Sequence, residues 1–106
     1  MEIKQYAVYW VDLNPTIGSE VNKVRPCIVL SPDEMNKYLK TVVIAPLTHT
    51  IKKYPTRVAC NINGEKGMVM IDQIRTIDRK RLKSVLGKLR KRETDKIKEV
   101  INEMLC

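Results

Sequence analysis

A chain of 106 residues is one domain, because two hydrophobic cores do not fit in that length. Hydrophobic residues make up 43%, enough for one core, and no run approaches the roughly 18 apolar residues of a membrane span. The net charge of +8 is uneven: residues 1–74 carry nine basic and seven acidic groups, residues 75–106 eleven and five, a field that draws polyanions without naming a reaction.

The opening Met1-Glu2-Ile3-Lys4-Gln5-Tyr6 has no apolar signal-peptide core, so the cytoplasm is the expected compartment. Tyr6 to Leu13 then reads as a strand, with Val8, Trp10 and Asp12 on one face and Tyr9, Val11 and Leu13 on the other. Trp10 is expected in the core. Asn14-Pro15 stops the strand, since proline has no ladder donor. The connection from Asn14 to Val24 has eleven residues, including Gly18, a length often used for function.

Pro26 to Ser31 predicts a second strand, with Cys27-Ile28-Val29-Leu30 as a buried run. Ser31 is expected to cap a short helix with Pro32 in its first position, acidic Asp33 and Glu34 at its positive end, and Met35 and Leu39 on its apolar face. Thr41 to Leu47 returns as a strand ended by Pro46 and the polar residues beyond. Arg57 to Ile62 and Met68 to Asp72 form a hairpin around Asn63-Gly64-Glu65-Lys66-Gly67. A helical turn at Arg79 to Leu82 and a short strand at Ser84 to Lys88 follow. From about Lys91, Ile97, Val100, Ile101, Met104 and Leu105 recur at helical spacing, which predicts an amphipathic helix laid on the core. Short strands closing on themselves under one or two helices indicate a small α+β, mainly β domain, 1–106, built as an antiparallel barrel.

Cys27, Cys60 and Cys106 are odd in number, widely spaced and form no Cys-x-x-Cys, and the single histidine completes no zinc set with them. They read as reduced thiols, two of them in strands. The sequence has no second histidine for an acid–base pair, no glycine-rich phosphate loop and no carboxylate cluster spaced for magnesium. A hydrolytic mechanism is therefore expected to work without metal or cofactor. RNA permits this, because its 2′-hydroxyl is a built-in nucleophile; the protein must align it, neutralise the phosphorane and help protons move.

Arg25 is the leading catalytic candidate, since its forked guanidinium grips two phosphate oxygens at once, a match that lysine lacks. Its high pKa makes charge stabilisation a better role than general base. Thr48 offers a hydroxyl that both accepts and donates, for a phosphate oxygen or the attacking 2′-hydroxyl, although a strand-end threonine also simply bonds a turn. Glu20, in the long connection, can take a proton or orient Arg25, or stand idle. His49 follows Thr48, and histidine is the residue type suited to acid–base work near neutrality, but it reads as loop decoration. Lys52, Lys53 and Tyr54 are suited to cradling phosphates and stacking a base, Gln73 to reading base edges, and Arg75 to a structural role.

Three patches carry a family likeness: Asn14-Pro15-Thr16-Ile17-Gly18-Ser19-Glu20 running into Arg25-Pro26-Cys27; Ile44-Ala45-Pro46-Leu47-Thr48; and Asp72-Gln73-Ile74-Arg75-Thr76-Ile77-Asp78. Together, from about Tyr6 to Leu89, they resemble the MazF/PemK toxin endoribonucleases. In the PemK-like branch a histidine stands in the place of Ser19 and a catalytic arginine in that of Met70. This chain has neither, although Asp72 is retained, so it looks like the MazF branch.

The resemblance implies an SH3-like barrel with a short inserted helix and a C-terminal helix. It implies a type II toxin cleaving single-stranded RNA to 2′,3′-cyclic phosphate and 5′-hydroxyl ends, with Arg25, Thr48 and Glu20 catalytic and Ser19, Lys53, Tyr54, Asp72 and Gln73 binding RNA. It further implies a homodimer with substrate along the interface, and an acidic MazE-like antitoxin covering the same groove. Two rivals stay open. One is a CcdB-like gyrase poison on the same barrel, although such toxins use a tryptophan near the C-terminus and Asn102-Glu103-Met104-Leu105-Cys106 has none. The other is a passive basic RNA-binding module.

Overall fold

The computed structural model describes residues 1–13 and 24–106. Seven strands are formed: β1 (Ala7–Asp12), β2 (Val24–Val29), β3 (Thr41–Thr48), β4 (Arg57–Ile62), β5 (Glu65–Met70), β6 (Arg75–Asp78) and β7 (Leu82–Lys88). Helix α1 (Asp33–Tyr38) lies between β2 and β3, and α2 (Lys91–Leu105) ends the chain. All pairings are antiparallel, in the order β4-β5-β3-β2-β1-β7, with β6 also on β3. The curled half-barrel and two helices agree with the mainly β expectation.

Both faces of the sheet are covered, because alternate side chains along its strands enter two hydrophobic clusters, one on each face, where the composition had suggested a single core. Val8, Ile28, Ala45, Leu47, Val58, Val69 and Ile71 pack under Ile97 and Val100 of α2. Tyr9, Val11, Cys27, Val29, Val42, Ile44 and Ile77 form the second core, with Ile3 and Leu82.

Strand β3 organises the sheet. One edge pairs with β2; the other pairs with β6 over Thr41–Ile44 and with β5 over Leu47 and Thr48. Pro46 does not end this strand, contrary to expectation. The Leu30 amide donates to the Val43 carbonyl, so odd-numbered β3 residues address β2 and Pro46 addresses the opposite edge. There it falls between the two partners, where its missing N–H breaks no pairing in the ladder.

Further differences have local causes. Ser31 does not cap α1, whose N-cap position is Pro32. Its hydroxyl instead donates to the Asn36 side-chain oxygen and accepts from the Val43 amide at 3.1 Å. Asn36, whose side-chain NH2 returns to the Ser31 carbonyl at 2.9 Å, is therefore the buried residue of α1, while Leu39 just beyond the helix is exposed. The hairpin turn is only Asn63-Gly64, both with positive φ, so β5 begins at Glu65. The last turn of α2 leaves the core: Met104 and Leu105 are exposed, as is Cys106. Strand β6, within the third family-like patch, was not foreseen. Its Arg75 and Thr76 are exposed and only Ile77 is buried, which hides the alternation that marks a strand.

Candidate active site

Arg25 lies near the start of β2 and Thr48 at the end of β3, and the two strands are paired. Cys27 pairs with Pro46; continuing that register two residues outward on each strand sets Arg25 against Thr48. Facing pairs of this kind are about 5 Å apart at Cα. The ladder between the strands stops at Cys27, and Pro26 explains why. The Tyr6 amide donates to the Val29 carbonyl, so odd-numbered β2 residues address β1 and Pro26 addresses β3 without an N–H to give. The β2–β3 ladder therefore ends two residues short of Arg25 and Thr48, both half-buried, and this end of the two strands is termed the fork.

Paired residues of an antiparallel sheet share a face. The pairs Cys27–Pro46, Ile44–Arg75, Thr48–Met68 and Met70–Arg57 therefore place Arg25, Thr48, Arg57 and Arg75 on one side of the sheet. The fully buried Cys27 thiol registers this convergence. Burial pushes it up to about 12, and the charges of Arg25 and Arg75 partly offset the rise. Arg75, expected to be structural, is thus an exposed cation of the same face. Thr48 also accepts the Thr50 amide through its hydroxyl at 3.2 Å, the turn bond that the sequence allowed for.

Beside this face, Asp72 lies in the 3-10 turn Ile71–Gln73, where its Oδ1 accepts from Thr56 Oγ1 at 3.2 Å and from Arg57 Nε at 3.4 Å. Burial would raise this carboxyl, but the Arg57 bond, its own backbone, Thr56 and the Arg57 charge together hold it below the ordinary range. The Arg57 guanidinium lies 5.0 Å from the Tyr54 ring centroid. Lys53, Tyr54 and Gln73 are exposed. Sequence reasoning missed Arg57; its only signal was its position opening a strand immediately after Tyr54-Pro55-Thr56. Ser19 and Glu20, with most of the first family-like patch, lie outside the described residues.

On the opposite side of β3, a cavity of about 240 Å3 opens among Trp10, Pro26, Leu47, Cys60, Ile62 and Leu86, with Thr48 and His49 also lining it. Trp10 is 37% exposed there, and so is not the core residue expected. His49 Nε2 lies 3.7 Å from Glu65 Oε2, both well exposed. Among the described residues no group of three or more histidine, cysteine, aspartate or glutamate side chains is placed to hold a metal. Among the described residues no helix is long and apolar enough to cross a membrane.

The curled antiparallel sheet, with α2 packed beneath, makes the molecule a small half-barrel domain. It superposes on MazF of Deinococcus radiodurans with a TM-score of 0.83 at 25% identity, covering 99% of this chain and 97% of that one. An endoribonuclease from a mycobacterial species, solved in complex with its cognate antitoxin, matches with a TM-score of 0.81 at 27% identity, over 96% and 93% of the two chains. Endoribonuclease EndoA of Bacillus subtilis (strain 168) is 32% identical, covering 100% of this chain and 97% of that protein. Residues 4–105 match the family of PemK-like, MazF-like toxins of type II toxin-antitoxin systems, and the chain belongs to that family.

Proposed function

We propose that this chain is the toxin of a type II system and acts as a sequence-specific endoribonuclease on single-stranded RNA, mRNA included, without metal or cofactor. The β2–β3 register carries this reading: continued two residues beyond the ladder it has Arg25 opposite Thr48, a bidentate cation and a hydroxyl suited to one phosphodiester. Relatives named as endoribonucleases, one solved with its antitoxin, support it.

In this mechanism the 2′-oxygen attacks phosphorus and gives up its proton, the bond to the 5′-oxygen breaks, and that oxygen leaves protonated. The products are a 2′,3′-cyclic phosphate and a 5′-hydroxyl. Arg25 stabilises the extra charge of the phosphorane, which is greatest in the transition state. Thr48 holds a phosphate oxygen or the 2′-hydroxyl in line. Glu20 moves a proton or orients Arg25, and Ser19 closes over the substrate with it. Lys53, Tyr54, Asp72 and Gln73 bind the flanking RNA. The active form is a homodimer with RNA along its interface, and an acidic MazE-like antitoxin inhibits it by occupying the basic groove.

The test is incubation with a mixed RNA pool in EDTA, followed by mapping of the cut ends. Cyclic phosphate and 5′-hydroxyl ends at a common short sequence support the reading. Intact RNA overturns it; intact RNA together with trapped gyrase would establish the CcdB-like alternative.

A further inference from the structure

Asp72, Arg57 and Tyr54 form a layered unit whose parts come from three different segments. Asp72 sits on the 3-10 turn after β5, Arg57 opens β4, and Tyr54 belongs to the connection before it. The β4 end of the connection is fastened twice: the Arg57 amide donates to the Tyr54 carbonyl at 3.1 Å, and the Ile71 amide to the Thr56 carbonyl at 3.0 Å. The Arg57 side chain is only 13% exposed, so its guanidinium is held between the carboxylate and the ring. Tyr54 nevertheless remains 49% exposed. A large ring backed on one side by a fixed cation and open to solvent elsewhere is a preorganised stacking surface, with little left to order on binding.

Its position gives the surface a use. Arg57 shares a face with Thr48 and lies two strands from β3, about 10 Å away. We propose that Tyr54, held by Arg57 and Asp72, is a base-stacking subsite for single-stranded RNA flanking the Arg25–Thr48 site, with Arg57 as its positioning residue. The inference deepens the ribonuclease reading and rests on it for the choice of ligand. Lysine cannot replace Arg57 here, because an ammonium keeps the charge towards Asp72 but has no plane to lay against the ring.

The test measures binding rather than turnover, so that it stands apart from cleavage. A short single-stranded RNA with 2′-O-methyl sugars is enriched from a random pool by binding, then remade as a series with one base removed at each position. Arg57→Lys and Tyr54→Ala are each expected to raise Kd about tenfold on the intact RNA, in line with base–aromatic stacking. At one and the same abasic position both variants should bind as the wild type does. Tyr54→Phe should retain wild-type affinity. Wild-type affinity in Tyr54→Ala, or an equal loss at every abasic position, would overturn the proposal. Tyr54→Ala keeps the test open if Arg57→Lys folds poorly, since it removes an exposed ring. Uncut RNA in the EDTA assay alongside the abasic pattern would sink the ribonuclease reading and leave the stacking subsite standing.

Discussion

Gly67 passes so close to Thr48 that a Cβ added to it would lie 2.7 Å from the Thr48 carbonyl oxygen. The obstruction is backbone, which no side-chain rotation relieves. Gly67→Ala should therefore push β5 away from β3 at the fork. RNA cleavage is expected to fall at least about tenfold, because small displacements of positioned groups are costly. Steady-state assays of the folded variant, with β content checked by circular dichroism, would read this; wild-type activity would show that Thr48 tolerates the shift.

Arg25→Lys keeps a positive charge yet loses the planar fork. The expected result is a loss of about 10²-fold or more in kcat with an unchanged unfolding midpoint, the magnitude of removing one preorganised oxyanion donor. Thr48→Val, similar in shape but without the hydroxyl, should act in the same direction. A lysine variant as active as the wild type would reduce the role of Arg25 to general attraction of RNA.

Glu93 makes stability depend on acid. This buried carboxylate accepts the Arg90 amide at 2.9 Å through Oε1 and the Asn61 amide of edge strand β4 at 2.8 Å through Oε2, so it joins α2 to the sheet. Burial alone would raise its pKa, but the bonds from Arg90 and Asn61 and the Arg90 charge hold it below its ordinary value of 4.5. With the folded pKa depressed, its contribution is present above about pH 4.5 and is lost as pH falls through the folded value. Glu93→Gln should lower the urea midpoint at pH 7 and flatten its dependence on pH below 4.5. A parallel shift at all pH values would contradict this.

Helix α1 is keyed by its polar residue. Asn36→Ala is expected to cost about 2 kcal/mol, since it strands the Ser31 carbonyl and leaves the Ser31 hydroxyl without its acceptor. Leu39→Ala, at an exposed site, should cost less than about 0.5 kcal/mol. Urea denaturation of the two variants checks the order, which reverses if Leu39 is the anchor.

Much of the fold was legible because its signals are local. Arg57 to Ile62 alternates and is bounded by Pro55 and by Asn63-Gly64, so the strand was found with its observed ends. Ile97 and Val100 face the core at the expected spacing. Ser31 misled because serine before proline and two acids is a common helix start, and nothing nearby shows the Val43 amide that takes its hydroxyl twelve residues away. Trp10 misled because size and strand position indicate burial, whereas the sheet opens beside it into a cavity. Of the candidate site, Arg25 and Thr48 were identified from residue chemistry and family-like context. Arg57 was not singled out and Arg75 was read as structural, since their position on the same face as Thr48 follows only from the pairing across the sheet.

By itself the sequence determined most of the strands and the C-terminal helix, and it offered residues whose chemistry suits a phosphodiester, because alternation and donor chemistry act within a few residues. Only the tertiary structure decided which of those residues meet. Pairing register fixes the neighbours of Arg25 and Thr48, and Pro26 decides where the β2–β3 ladder stops. That information lies in long-range hydrogen bonds, which no short window of sequence contains.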